Sequence, residues 1–142
     1  MRWLLLDEVI RIEKNTSALT RSRIPQGPVS PEPLLMEMMA QTGGLLLGAE
    51  KEFEEDIIFA KIDSADFFDP QPGEPIEIEA CSDSLRPEGS WMEASIKTSG
   101  GRPVARSRFL LMSVGRLAPE VKEPIVFHKA FMKHFRVLEK IQ

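Results

Sequence analysis

The sequence predicts an α+β fold in which one long buried helix is wrapped by an antiparallel sheet. Residues 33–49 place leucine and methionine side chains on every side of a helix, and a helix that is apolar all round must be enclosed by other elements. Apolar residues alternate within 75–85 and 90–99, as is typical of half-buried strands. Glycine-containing turns follow these segments, and such short connections favour antiparallel pairing.

The order of the elements follows from the same patterns. A chain of 142 residues is one domain's worth, so we expect a single core domain over residues 1–117. Two strands, at 3–13 and 16–24, should precede the helix. Four more should follow it, at 57–68, 75–85, 90–99 and 103–114.

Residues 118–142 are expected to form a C-terminal helical extension. Apolar side chains recur at helical spacing over 125–142, which predicts one amphipathic helix. These side chains are Phe127, Phe131, Phe135, Leu138 and Ile141. They are too apolar to be left in water, so the stripe should pack on the core domain or on a dimer partner. The cationic side of this helix is either a solvated face or a surface that steers an acidic partner.

The composition limits the classes of function. The net charge is −4 and the pI is about 5.3, which argues against nucleic-acid binding. No apolar run reaches the ~18 residues of a membrane span, and the apolar start is stopped by Asp7 before it could form a signal core. The single cysteine, Cys81, excludes an internal disulfide and is typical of a cytoplasmic protein. Without a metal-ligand cluster or a glycine-rich phosphate loop, neither a metal nor a cofactor is expected.

Three polar side chains interrupt the apolar helix: Glu37, Gln41 and Thr42. Glu37 and Gln41 are four residues apart and therefore share a face. A carboxylate in such a helix is costly to bury unless it has a partner. Glu37 is therefore either a general acid or base, or a structural residue near the helix start, where the helix dipole favours negative charge. The helix pattern does not choose between the two.

The segment around the helix start carries a family resemblance. Its matching residues are Pro25, Pro28, Pro31, Glu37, Ala40 and Gln41. At this spacing they resemble the signature of the FabZ-type 3-hydroxyacyl-(acyl carrier protein) dehydratases, which have the hot-dog fold. The stretch 59–63 is similar to the Phe-x-x-Ile-Asp strand of the same family.

The resemblance implies a place in fatty-acid or related acyl-chain metabolism. The substrate would be an acyl thioester carried by acyl carrier protein or by coenzyme A, with its chain along the buried helix. The family relation also implies a homodimer, with a higher oligomer or a heterodimer as alternatives. In the family a histidine and the helix glutamate are the catalytic groups, and the glutamate corresponds to Glu37; we take Glu37 and Gln41 as the candidate catalytic residues. The residues implied to contact the substrate are Arg23, Pro31, Phe59 and Ile62.

The sequence departs from the family at the position of the catalytic histidine. Arg23 occupies that position, and an arginine stays protonated at any working pH, so it cannot act as the base. Glu32 replaces a glycine, and the following Pro33 has no N–H to offer an oxyanion. Ordinary dehydration is therefore not expected.

Three alternatives follow. The first is an acyl thioesterase in which Glu37 activates water, Gln41 orients it and Arg23 lies over the oxyanion. The second is a non-catalytic acyl-binding or partner subunit, and the third is a structural relic. A functional interpretation of the tail would have it donate His128 or His134 as a replacement base, whereas the plainer one places both histidines on the polar side of the terminal helix.

Overall fold

The computed structural model of the protein describes residues 5–86 and 88–142. Six strands and one long helix form its body, and a short second helix lies in the tail. They are β1 (Glu8–Glu13), β2 (Ser17–Arg23), α1 (Pro31–Glu50), β3 (Ile57–Phe67), β4 (Pro75–Arg86), β5 (Gly89–Thr98), β6 (Pro103–Ser113) and α2 (Lys129–His134). The predicted α+β class and the order of the elements through β6 are confirmed.

The strands form one antiparallel sheet in the order β1-β2-β4-β5-β6-β3. The sheet curves around α1, which contacts all six strands. The predicted alternation holds, because Ile76, Ile78 and Ala80 of β4 are buried on the helix side. One boundary was wrong, because β1 begins at Glu8, after Asp7, whose N–H donates to the Arg21 carbonyl. Residues 3 and 4 of the predicted strand lie outside the described part of the chain.

α1 begins two residues earlier than predicted, because prolines fit the first helical turn, where an N–H has no partner to lose. Ser30 is the N-cap residue, and its hydroxyl donates to Glu32 rather than capping the backbone. That bond lowers the pKa of the Glu32 carboxyl. Thr42 is fully buried and satisfied by Thr20 at 2.8 Å and by the Met38 carbonyl at 2.9 Å.

β3 lies at one edge of the sheet. It pairs with β6 on one side, and in the described chain no strand lies on its other side. Its residues from 58 to 66 are exposed, including Ile58, Phe59 and Ile62. An edge strand with apolar side chains in water is the place where a second chain commonly pairs.

The tail differs from the single helix predicted over 125–142. α2 has six residues, Arg136 then takes a left-handed conformation with φ 51°, and a 3₁₀ turn follows at Val137–Lys140. The break turns Val137 into the core, fully buried, and leaves Leu138 69% exposed. The predicted burial of the three tail phenylalanines is confirmed, and the predicted burial of Leu138 was wrong.

The helices of the described residues are each too short or too polar to cross a membrane. We find no group of three or more His, Cys, Asp and Glu residues placed to hold a metal ion within 5–86 and 88–142.

Candidate functional site

Glu37 and Gln41 form a hydrogen-bonded pair on α1. Gln41 Nε2 donates to Glu37 Oε1 at 3.2 Å. The carbonyl oxygen of the same amide accepts the backbone N–H of Leu5 at 3.2 Å. The Leu5 bond therefore fixes which end of the amide faces Glu37. Both residues are half-buried, and the amide of Gln41 is a partner for the carboxylate.

A cavity of about 270 Å³ opens beside this pair. Glu37 and Gln41 are the polar residues of its wall. The rest of the wall is apolar and is formed by Ala40, Gly44, Ile57, Ile58, Phe59, Leu111, Val126, Phe127 and Phe131. An apolar pocket with a few convergent polar groups is the usual form of a small-molecule site, and this volume is just below the ~300–1,000 Å³ of typical ones.

Four parts of the chain build the walls of this cavity: α1, β3, Leu111 of β6 and the tail. α1 supplies the polar end, and Gly44 leaves open space, since a Cβ added there would meet no atom within 4 Å. β3 supplies Phe59, whose ring lies 5.5 Å from that of Phe109. The tail supplies Val126, Phe127 and Phe131.

The other predicted site residues lie elsewhere. Arg23 is exposed at the end of β2, and its Nη1 donates to the Gly73 carbonyl at 3.2 Å. Pro31 is the first residue of α1, and Ile62 lies further along β3. None of Arg23, Pro31 and Ile62 lines the cavity as the described residues form it. The structure thus brings together Glu37, Gln41 and Phe59 from the predicted set.

Neither histidine lines this cavity within the described chain. His128 caps α2, where its Nδ1 accepts the N–H of Phe131 at 3.2 Å. The ring of His134 packs edge-on against Phe135, with 4.7 Å between centroids. Both histidines thus have structural contacts, which favours the plainer of the two predicted interpretations.

Sequence reasoning missed the residues that the tail gives to the site: Val126, Phe127 and Phe131. Their apolar spacing predicted that they would pack somewhere. The signal that could have placed them is Gly48, because a Cβ there would lie 2.6 Å from the Phe127 ring. A glycine so near the end of a buried helix marks a close approach by another element.

Comparisons with known proteins support the fold. No protein-family model matches the chain. A curated relative, the bifunctional enzyme LpxC/FabZ of Chlorobaculum tepidum, is 37% identical over 87 residues, which are 57% of this chain and 19% of that enzyme. The chain therefore spans about a fifth of the length of that relative.

Solved structures with a similar fold are more distant in sequence. The protein smu.793 of Streptococcus mutans, solved bound to acetyl CoA, has a TM-score of 0.66 at 12% identity, over 81% of this chain and 94% of that one. The thioesterase HI1161 of Haemophilus influenzae has a TM-score of 0.64 at 14% identity, over 79% of this chain and 81% of that one. A chain of the dehydratase heterocomplex ApeI:P of Xenorhabdus doucetiae has a TM-score of 0.61 at 18% identity, over 79% of this chain and 84% of that one. These likenesses, with six antiparallel strands around one helix, establish the hot-dog fold.

Proposed function

We propose that the protein binds acyl thioesters and hydrolyses them, with Glu37 as the group that activates water. The observation that carries the proposal is the Glu37–Gln41 pair at the polar end of an otherwise apolar cavity. An acyl chain fits the apolar part, and its thioester carbonyl would then lie beside the carboxylate. The cavity volume favours a short chain.

The reaction needs one group that can take a proton and return it. A water molecule gives a proton to the Glu37 carboxylate while its oxygen bonds to the thioester carbonyl carbon. The tetrahedral intermediate then breaks its C–S bond, and the leaving thiolate takes the proton back from Glu37. The products are a carboxylic acid and a free thiol. Gln41 keeps the carboxylate in place through its 3.2 Å bond and is a positioning residue in this scheme.

Dehydration of a 3-hydroxyacyl chain is a poorer fit to the same site. That reaction removes a C2 proton, and the cavity wall, over the described residues, carries no imidazole to receive it. Arg23 occupies the family's histidine position and stays charged. Membership of the dehydratase family remains a proposal, supported by the 37% identity to LpxC/FabZ and by the motif at the helix start.

We propose a homodimer formed through β3. The strand exposes Ile58, Phe59 and Ile62 at 39%, 36% and 47%, and two of these also line the cavity. Pairing a second chain on this edge would satisfy the hydrogen bonds of the strand's outer backbone groups and cover its apolar side chains.

We also propose a cytoplasmic location, which the single cysteine, Cys81, supports.

A second candidate is a non-catalytic partner subunit. The lack of an imidazole in the described cavity favours it, because a sister chain could supply one across β3. A neighbour in fold, ApeI:P, is itself a heterocomplex. In this alternative the chain still binds the acyl group, and the partner chain contributes the missing catalytic residue to the shared site.

Incubation with purified acyl thioesters separates the candidates. Saturated, enoyl and 3-hydroxyacyl forms would each be offered on coenzyme A and on acyl carrier protein. We expect free thiol from the saturated form, detected by a thiol reagent, and no enoyl product from the 3-hydroxyacyl form. Binding without thiol release would favour the partner subunit, and failure to bind any thioester would refute both candidates.

A further inference from the structure

Hydrogen bonds to the core domain hold the C-terminal tail near its start and at its end. Near its start, the carboxylate of Asp56 accepts the backbone N–H of Leu117 at 3.0 Å and that of Val126 at 3.1 Å. At its end, the N–H of Gln142 donates to the Ile12 carbonyl at 2.8 Å. Asp56 is fully buried, so this clamp is part of the core rather than a surface contact.

Between these hydrogen bonds, aromatic rings pack against one another, and Phe127 also packs against Gly48 of α1. Phe53 and Phe127 meet edge to face at 5.1 Å, as do Phe127 and Phe131 at 5.8 Å. The rings of Phe131 and Phe135 are tilted against each other at 5.0 Å. The three tail rings are each 5–6% exposed. Gly48 has no side chain to hold Phe127 away. The tail is therefore a packed wall with a fixed position.

Phe131 and Phe127 differ from Phe135 in what they face. The first two line the cavity beside Glu37, whereas Phe135 does not. Gly44 of α1 lines the same cavity, and a Cβ added there would meet no atom within 4 Å. The cavity wall therefore includes both a large ring from the tail and a position on α1 that carries no side chain, and both affect the room for an acyl chain.

We propose that Phe131 and Gly44 determine the length of the acyl chain that the site accepts, with Phe131 limiting it and Gly44 extending it. The inference rests on the proposed acyl-thioester site and makes the tail a part of that site. It predicts that the protein prefers short chains. Removal of the Phe131 ring should lengthen the preferred chain, and a side chain at position 44 should shorten it.

The test measures dissociation constants for a series of acyl-CoA compounds from acetyl to decanoyl. We expect Phe131→Ala to gain affinity for the longer chains by roughly fourfold for each additional methylene group that becomes buried. Leucine has a high helix propensity, so Gly44→Leu should fold. It should lower the affinity for the longest chains that the wild type binds. Phe135→Ala is the matched control, since it removes a ring of nearly equal burial that does not line the cavity, and its profile should equal that of the wild type.

The outcomes separate the two levels of the proposal. A wild type that binds no acyl thioester, whether carried by coenzyme A or by acyl carrier protein, would overturn the proposed function and this inference with it. A wild type that binds, with profiles unchanged in folded Phe131→Ala and Gly44→Leu, would overturn only this inference. If Phe131→Ala does not fold, as circular dichroism would show, the Gly44→Leu profile decides alone.

Discussion

Gln41 holds the carboxylate of Glu37 from one helical turn away, Nε2 to Oε1 at 3.2 Å. The amide is itself oriented, because its oxygen accepts the N–H of Leu5 at 3.2 Å. Leu5 leads into β1, so the sheet and the helix together set the direction of the pair. A carboxylate fixed in this way is suited to meet a reactant in one geometry, which is what general acid–base catalysis requires.

Assembly through β3 is the first prediction. Ile62→Lys places a charge on the exposed edge strand outside the cavity wall, so it should weaken the dimer without changing the site. Light scattering at micromolar concentration should show a dimer for the wild type and a shift toward monomer for the variant. Val29→Lys, at a position 60% exposed in the loop before α1, is the control and should remain dimeric. A stable wild-type monomer would contradict the proposed assembly.

Dehydration should be weak. Because the described residues of the cavity wall include no imidazole to take the C2 proton, turnover of a 3-hydroxyacyl thioester should fall roughly 10²–10⁴-fold below that of an enzyme with a positioned histidine. His128→Ala and His134→Ala should leave the residual rate unchanged, since both rings have structural contacts. Enoyl absorbance measures the rate. A fast reaction that one of these substitutions abolishes would show that the tail supplies the base.

The tail should contribute to stability through its buried rings and not through Leu138. Phe127→Ala removes a ring that packs on Gly48 and Phe53 and should cost about 3–5 kcal/mol in the free energy of unfolding. Leu138→Ala, at a position 69% exposed, should change it by no more than ~0.5 kcal/mol. Denaturant titration measures both. Equal effects of the two substitutions would mean that the tail is not packed as described.

Cys81 should react slowly with alkylating agents at neutral pH. Burial raises the pKa of its thiol, the carboxylates of Glu79 and Glu93 raise it further, and Arg11 opposes them. The thiolate is the reactive form, so the alkylation rate should rise with pH through a midpoint above the ordinary cysteine value. Glu93→Gln removes one of the two charges and should move that midpoint down. An unchanged midpoint would show that Glu93 has no influence on the thiol.

Local patterns were enough to predict the sheet and the helix. Ile76, Ile78 and Ala80 alternate in the sequence and are buried in the structure, because a strand's side chains alternate between faces whatever its neighbours are. The polar pair on α1 could also be predicted from a local rule, because residues four apart lie about one helical turn apart and share a face.

The shape of the site could not be predicted, because it depends on contacts distant in sequence. The helical spacing from Phe127 to Ile141 gave no sign of the break at Arg136, which places Val137 in the core and lets Ile141 bridge to Ile12. The tail therefore reaches the Glu37 cavity through tertiary packing that overrides its local periodicity. Arg23 was grouped with Glu37 by resemblance alone, and within one chain it contacts Gly73 instead.

The role of Glu37 is tested most directly by Glu37→Gln, which keeps the shape of the side chain and its ability to bond Gln41 but cannot take a proton. Thiol release from the acyl-CoA that the wild type turns over fastest should fall roughly 10²–10⁴-fold, the usual contribution of a general acid–base group, while the dissociation constant stays near the wild-type value. Glu50→Gln, at the other end of the same helix, should keep full activity. Thiol release by Glu37→Gln at the wild-type rate would contradict the assignment of Glu37 as the group that activates water.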